Sequence, residues 1–379
     1  MIDFSLSPEQ EALLDLARDF AQKEMAPLAA ELDREQRYPL EIVERCFELG
    51  LLHYGVPAEY GGGGLGSLEG CLIAEELAGG CGGVEVGLYG NILGLLPLLI
   101  AGSDELKKEL LPGHCSGPNQ AALCVTEAEA GSDVGSIRTK AVRAGDEYVI
   151  DGTKRFITNG GVASLYAVIA KEDPDLGNRG LSAFMVPAGT PGVSHGRQED
   201  KLGQRSSDTC EVIFEEVRIP ARYLLGGGRD GFKIAMRTLD SSRPVVGSQA
   251  VGISRAALEA AVAFVKKKTD SRQDGSLSQG IQLMLADMAI KVQAARWLCW
   301  HAAWLGDRGR RNPREAAMAK CFAGDIAIEV TGAAVELLGL DGYTARYPVE
   351  RYMRDARAYS IFEGTAEIQR LVIARELLR

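Results

Sequence analysis

The sequence predicts an α+β multidomain protein: an N-terminal helical domain over 1–120, a small antiparallel β-domain over 121–228 and a C-terminal helical bundle over 229–379. Apolar residues recur at helical spacing up to about Cys115 and again from Gly231 onwards. Between these stretches lie short apolar and β-branched runs, separated by Asp-Gly, Asn-Gly and Pro-Gly turns with no helical pattern intervening. At 379 residues, 46% of them hydrophobic, the chain is long enough for two or three domains with ample core.

Ser7-Pro8-Glu9-Gln10 is a helix start, with a capping hydroxyl, proline at the first helical position, then acid and amide. Leu13, Leu14, Ala17 and Phe20 continue it at helical spacing. Further helices fit Pro39–Leu49, Leu68–Leu77 and Val84–Ile100, with glycine-rich Gly61–Gly66 as a connector. Ile92–Ala101 is the longest apolar run; it is too short to span a bilayer and carries Pro97, so it reads as a buried helix followed by a turn. Strands fit Ala121–Val125, Glu147–Ile150, Leu165–Ile169, Ser182–Val186 and Cys210–Phe214. Ala256–Lys267, Gln279–Leu305, Pro313–Leu338 and Val349–Ser360 form a four- or five-helix bundle, extended by a helix after Gly364.

A net charge of −10 argues against a nucleic-acid footprint. The eight cysteines include no CxxC pair, and the four histidines lack the spacing of helix-borne metal ligands, so a metal site is not expected. Scattered cysteines read as small apolar core residues of a reducing compartment. The N-terminal segment lacks the basic and apolar regions of a signal peptide and the arginine-rich bias of a transit peptide, which sets the expectation of a cytoplasmic protein.

Two stretches fit GxGxxG, at Gly61–Gly66 and Gly226–Gly231. Neither sits in a βαβ unit, so both read as connectors rather than dinucleotide loops. More informative is Val125-Thr126-Glu127-Ala128-Glu129-Ala130-Gly131-Ser132-Asp133, where a strand opens into small and hydroxyl residues. Exposed backbone N–H groups and hydroxyls there suit a cofactor with imide and phosphate oxygens. Phe156-Ile157-Thr158-Asn159, after a strand and a turn, offers an aromatic face and a hydroxyl to a flat ring with hydrogen-bonding edges. Near the C-terminus, Gly364 interrupts a helical pattern and Thr365 can cap the next helix, which leaves Glu363 at a helix–helix break beside Ile361 and Phe362. Glu363 is there either a base aimed into a cavity or a charge favouring the positive helix end.

Taken together, these segments resemble the acyl-CoA dehydrogenase family, its medium- and short-chain members most closely, over nearly the whole chain. The family's T-E-x-x-A-G-S-D motif matches Thr126–Asp133 and its W-I-T-N motif matches Phe156–Asn159. Further signatures match Lys201–Asp208 and Pro348–Ala356, and the E-G-T motif is Glu363-Gly364-Thr365. The resemblance implies FAD-dependent α,β-dehydrogenation of an acyl-CoA thioester to a 2-enoyl-CoA, with electrons passed to an electron-transfer flavoprotein. It assigns Glu363 as the base that removes the α-proton, with its own N–H donating to the thioester oxygen, while the β-hydride leaves to flavin N5. Hydrogen bonds to such a developing oxyanion are worth about 3–4 kcal/mol each.

By the same resemblance, Thr126 bonds the flavin edge, Phe156 covers the ring and Thr158 lies near N5. Leu123, Cys124, Val125, Ile157, Thr365 and Glu367 belong to the cofactor site. Ser132 touches the cofactor–thioester region. Asp240, Arg243 and Gly364 fall on the substrate side, with Arg243 contacting CoA and bracing the catalytic segment. Glu85 and Tyr89 would close the far end of the acyl pocket, which favours a short, branched, cyclic or polar acyl group.

Two segments depart from the family's pattern. The R-x-x-F-G segment is here Ser271–Ser276, keeping Arg272 but no phenylalanine. The Q-x-x-G-G-x-G segment is Glu336–Gly342, with Glu336 for glutamine, Gly339 kept and Leu340 for the second glycine. In the family both hold the FAD pyrophosphate and adenine of a neighbouring subunit. Two assemblies follow: a homotetramer with weaker FAD binding, or a heterotetramer in which a related subunit supplies the adenine contacts. Rival roles are an FAD-poor subunit acting mainly with a homologous partner, and another acyl-CoA elimination on the same scaffold.

Overall fold

The computed structural model describes residues 5–270 and 277–379. Six α-helices open the chain: α1 (Pro8–Phe20), α2 (Ala29–Glu35), α3 (Leu40–Glu48), α4 (Ser67–Gly80), α5 (Gly82–Ala101) and α6 (Asp104–Cys115), with a π-helical turn over Ala21–Met25. Ser7 caps α1 in a full capping box with Gln10. As the helix expected over Val84–Ile100 requires, α5 runs through Pro97 to Ala101, and the chain leaves the helix at Gly102. Packing overrides propensity here. By length and hydropathy α5 matches a membrane span, but two-thirds of it is buried within the fold, as in a core helix.

Eight strands follow: β1 (Gln120–Cys124), β2 (Lys140–Ala144), β3 (Glu147–Thr158), β4 (Ala163–Lys171), β5 (Leu181–Pro187), β6 (Val193–His195), β7 (Thr209–Pro220) and β8 (Leu224–Leu225). They form one sheet in the order β6-β7-β3-β2-β4-β5-β8, with β1 joined to β4. Most pairs are antiparallel, as expected, but β1 and β2 both run parallel to β4. The expected turn at Asp151–Gly152 is instead an irregularity inside β3, which continues to Thr158.

Glycines on α5 let it lie directly on this sheet. A Cβ on Gly94 would sit 2.5 Å from the Ala122 amide nitrogen, and one on Gly90 would sit 2.8 Å from Asn159 Nδ2. Asn159 is fully buried and donates to Gly87 O (2.8 Å) and Gln120 Oε1 (3.1 Å), tying the end of β3 to α5 and β1.

Helices α7 (Gly231–Asp270), α8 (Gln279–Asp307), α9 (Pro313–Leu338), α10 (Val349–Ala356) and α11 (Ala366–Leu377) complete the chain. α7 is one continuous helix of 40 residues that includes Pro244; it takes in the helix expected over Ala256–Lys267 and starts at Gly231, where helical spacing resumes. Pro244 withdraws the N–H that the Asp240 carbonyl would otherwise receive, beside the cavity described below. One apolar core joins helices of both ends of the chain; a second lies between the sheet, α5 and α6.

Asn91 of α5 bridges two buried histidines, with its amide nitrogen 3.0 Å from His53 Nδ1 and its oxygen 2.9 Å from His114 Nε2. Burial depresses both imidazoles, His114 to about 3. Because the folded-state pKa lies below the ordinary value, this network contributes full stability above about pH 6.5 and loses it as pH falls from there toward the folded value. His114→Gln removes one titrating group. Its thermal midpoint is expected to fall less than wild type between pH 7.5 and 5; parallel pH dependences would refute the assignment.

Candidate active site

The site begins with a register change in β3. Lys154 pairs with Val212 and Ile157 with Cys210, so Arg155 and Phe156 together oppose Glu211. Such a bulge re-aims a side chain. Simple alternation would turn Phe156 inward with Lys154. Instead Lys154 is wholly buried while Phe156, at φ 57°, stands 56% exposed in the wall of a cavity.

The Thr126–Asp133 loop is held against this bulge. Arg155 N–H donates to Thr126 O (2.8 Å), and Glu127 and Ala130 exchange backbone hydrogen bonds. Glu127 turns inward to accept from Arg138 N–H (2.6 Å), Thr139 N–H (2.9 Å), Thr139 Oγ1 (2.6 Å) and Lys154 Nζ (2.8 Å). Lys154 Nζ also donates to Val125 O at 3.0 Å. Burial pushes the Glu127 carboxyl up, but the Lys154 ammonium and these donors outweigh it and hold the group below its ordinary range. One buried ion pair therefore positions both motif segments.

Across the cavity, α10 ends in a 3-10 turn over Arg357–Ser360, and Glu363 (φ 59°) and Gly364 (φ 87°) turn the chain into α11. Thr365 Oγ1 caps α11, accepting from Ile368 N–H at 3.3 Å. Gln369 Nε2 donates to the carbonyls of both Glu363 and Gly364 at 3.1 Å, and Lys320 Nζ donates to the Gly364 carbonyl at 2.6 Å. The φ of 87° at Gly364 favours glycine, and a Cβ there would also displace that same Gln369 nitrogen, 2.5 Å away.

Glu363 Oε2 accepts from the Ser242 hydroxyl at 2.5 Å, while Oε1 is buried and has no hydrogen-bond partner. Burial raises the carboxyl above its ordinary pKa; the Ser242 hydrogen bond, Arg243 and Lys320 oppose that shift. Arg243 is 3% exposed, pairs with Asp240 Oδ1 at 2.6 Å and keeps its Nε unpartnered.

These elements enclose a cavity of about 570 Å³. Of the residues singled out from the sequence, Tyr89, Leu123, Val125, Thr126, Ser132, Phe156, Ile157, Thr158, Arg243, Glu363 and Gly364 line it. Cys124 is buried in β1 behind this wall, and Asp240 reaches the cavity only through Arg243. Glu85 is 2% exposed and also lies off the wall, although it was expected to close the acyl pocket; burial raises its pKa far above the ordinary range. Thr365 and Glu367 shape the start of α11 instead of the wall. Glu336 and Gly339 are exposed at the end of α9, away from the cavity, and Arg272 lies outside the described residues.

Sequence reasoning missed three residues here: Ser242 against the Glu363 carboxylate, Lys320 beneath the Glu363–Gly364 turn, and Gln249, which lines the cavity at 1% exposure beside Glu85. Gln249 and Lys320 had left a signal, each being a polar residue inside an apolar helical stretch.

An exposed aromatic ring at a bulge, the hydroxyls of Thr126, Ser132 and Thr158, and a cavity walled by sheet and helices suit a flat, polar-edged ring. Comparison with known proteins agrees. Family models for the acyl-CoA dehydrogenase N-terminal, middle and C-terminal domains match residues 7–118, 122–217 and 229–378. The probable acyl-CoA dehydrogenase FadE25 of Mycobacterium tuberculosis is 44% identical over 377 residues, covering 99% of this chain and 97% of that protein. The butyryl-CoA dehydrogenase of Megasphaera elsdenii superposes with a TM-score of 0.96 at 39% identity, with both chains covered in full. So does a chain in the Acidaminococcus fermentans electron transferring flavoprotein structure, a study of flavin-based electron bifurcation, with a TM-score of 0.96 at 42% identity and full coverage of both chains. The cofactor of such proteins is FAD, and they are oxidoreductases. The chain belongs to the acyl-CoA dehydrogenase family.

Proposed function

We propose that the protein converts a short or polar acyl-CoA thioester to its 2-enoyl-CoA, with Glu363 as the base. The observation that carries this reading is Glu363 Oε1, a buried and unpartnered carboxylate oxygen in the same cavity as Thr126, Phe156 and Thr158. Thr126, Ser132, Phe156 and Thr158 would hold the FAD. When bound, FAD supplies the acceptor for the β-hydride.

The α-proton of a thioester is weakly acidic, so a base alone removes it slowly. A positioned general base contributes about 10²–10⁴-fold. Burial brings the Glu363 pKa up toward useful basicity. Ser242 occupies Oε2, which leaves Oε1 as the proton acceptor. The Glu363 N–H is the donor proposed for the thioester oxygen, and Arg243 holds the CoA side while adding positive charge near the carboxylate.

Tyr89 and Gln249 support a short acyl end with polar tolerance. The Tyr89 ring lies in the cavity wall with its hydroxyl donating to Ser242 O at 3.4 Å, and the buried Gln249 amide, beside Glu85, puts polar atoms into the same wall without a short hydrogen bond. One surplus methylene against such a wall costs about 10–200-fold in kcat/KM. In a panel of acyl-CoAs, butyryl-CoA and its branched or hydroxylated relatives are expected to exceed palmitoyl-CoA by at least that margin. A preference for the long straight chain would refute the short-pocket reading.

The electron acceptor proposed is an electron-transfer flavoprotein, supported by the likeness to the chain in the Acidaminococcus fermentans structure. The exposed positions of Glu336 and Gly339 outside the cavity suit contacts to a neighbouring subunit, either a copy of this chain or a related one. FAD counted per chain in the purified protein separates those two assemblies.

A further inference from the structure

Lys320 lies behind the cavity wall, against the turn that carries Glu363. It sits on α9 among Ala316, Ala317, Ala319 and Ala323, all fully buried, and is itself 1% exposed. Burying an ammonium is costly unless it is paired. Among the described residues, no carboxylate lies within ion-pair distance of Lys320. Its hydrogen bond goes instead to the carbonyl of Gly364, 2.6 Å away.

That carbonyl belongs to the residue after the base. Glu363 and Gly364 both have positive φ, and for a non-glycine residue such a conformation costs about 1–3 kcal/mol unless its surroundings impose it. The imposing contacts are few: Gln369 Nε2 from α11 on both carbonyls, and Lys320 from α9 on the second. The charged groups facing Lys320 are Glu363 on the catalytic turn, Arg243 on α7 and Asp325 on its own helix, and the neighbouring titratable group is the Cys321 thiol, which burial keeps protonated. Burial lowers the ammonium pKa to about 8, and Glu363 opposes that shift ahead of the other groups.

We propose that Lys320 is a positioning residue for the base: it fixes the Gly364 peptide, and with it the Glu363 backbone, while its ammonium lends positive charge to the carboxylate. This rests on the reading of Glu363 as the base. Removing the cation raises the pKa of the carboxylate, because its ionised form loses a favourable neighbour. The acid limb of kcat/KM, which requires the ionised base, then moves to higher pH.

The test compares FAD-loaded wild type with Lys320→Met and Lys320→Arg. The thermal midpoint is followed together with the pH profile of kcat/KM. A second readout needs no turnover: the infrared band of the protonated carboxyl that Glu363→Gln removes, titrated without substrate. Lys320→Met is expected to move both titrations up by about one pH unit, and Lys320→Arg to return them toward wild type. If Lys320→Met folds poorly, Lys320→Gln, an uncharged donor, carries the same readout. A lowered thermal midpoint with unmoved titrations would overturn the proposal and leave Lys320 as packing alone. A shifted infrared titration in a protein that no acyl-CoA reduces would keep the Lys320–Glu363 coupling and refute the base reading instead.

Discussion

Glu363→Gln is expected to lower the rate of flavin bleaching by acyl-CoA by about 10²–10⁴-fold with little change in acyl-CoA affinity. The amide is close to isosteric, and its oxygen can still accept from Ser242, which now bonds Oε2 at 2.5 Å. What it loses is the ability to take a proton at the position of Oε1, the unpartnered oxygen in the cavity. An effect on rate but not on binding marks a group that acts only in the transition state. Rapid mixing gives the rate, and equilibrium titration of the variant gives the affinity. Bleaching at the wild-type rate would remove Glu363 from the mechanism.

The second large effect is structural. Lys154→Met strands the Glu127 carboxylate, which is 8% exposed and loses its only cationic partner among the described residues. Breaking a buried pair from one side costs about 3–5 kcal/mol. The damage should concentrate in the loop carrying Thr126 and Ser132, because Glu127 also organises the Arg138 and Thr139 amides. Lys154→Met is therefore expected to unfold at lower temperature and to retain less FAD than wild type. Adding Glu127→Gln should recover part of the loss, since the uncompensated charge is gone. A double variant no more stable than Lys154→Met would contradict the ion-pair account.

Local chemistry made much of this molecule legible in its sequence. Ser7-Pro8 announced α1, and the glycine at 364 followed by the threonine cap at 365 announced the break that carries Glu363. Helical and alternating periodicity separated the two helical parts from the strands between them. Features decided by distant contacts were hidden. The bulge at Arg155–Phe156 arises from pairing with β7, some fifty residues on in sequence, and no local pattern marks it. Pro97 and Pro244 both lie inside long helices that packing carries through the proline. The parallel pairing of β1 and β2 with β4 was likewise invisible to turn chemistry, and β6 and β8, of three and two residues, are too short to show alternation. Within the site, Thr126 and Phe156 were found through hydroxyl and aromatic content. Ser242 needed the fold to bring residue 242 against residue 363.

Anaerobic titration of the FAD-loaded protein with butyryl-CoA tests the central claim most directly, following visible flavin absorbance and thioester products together. The account predicts bleaching that yields one 2-enoyl-CoA for each flavin reduced. Saturating binding of several short acyl-CoAs with no bleaching and no enoyl product would contradict it.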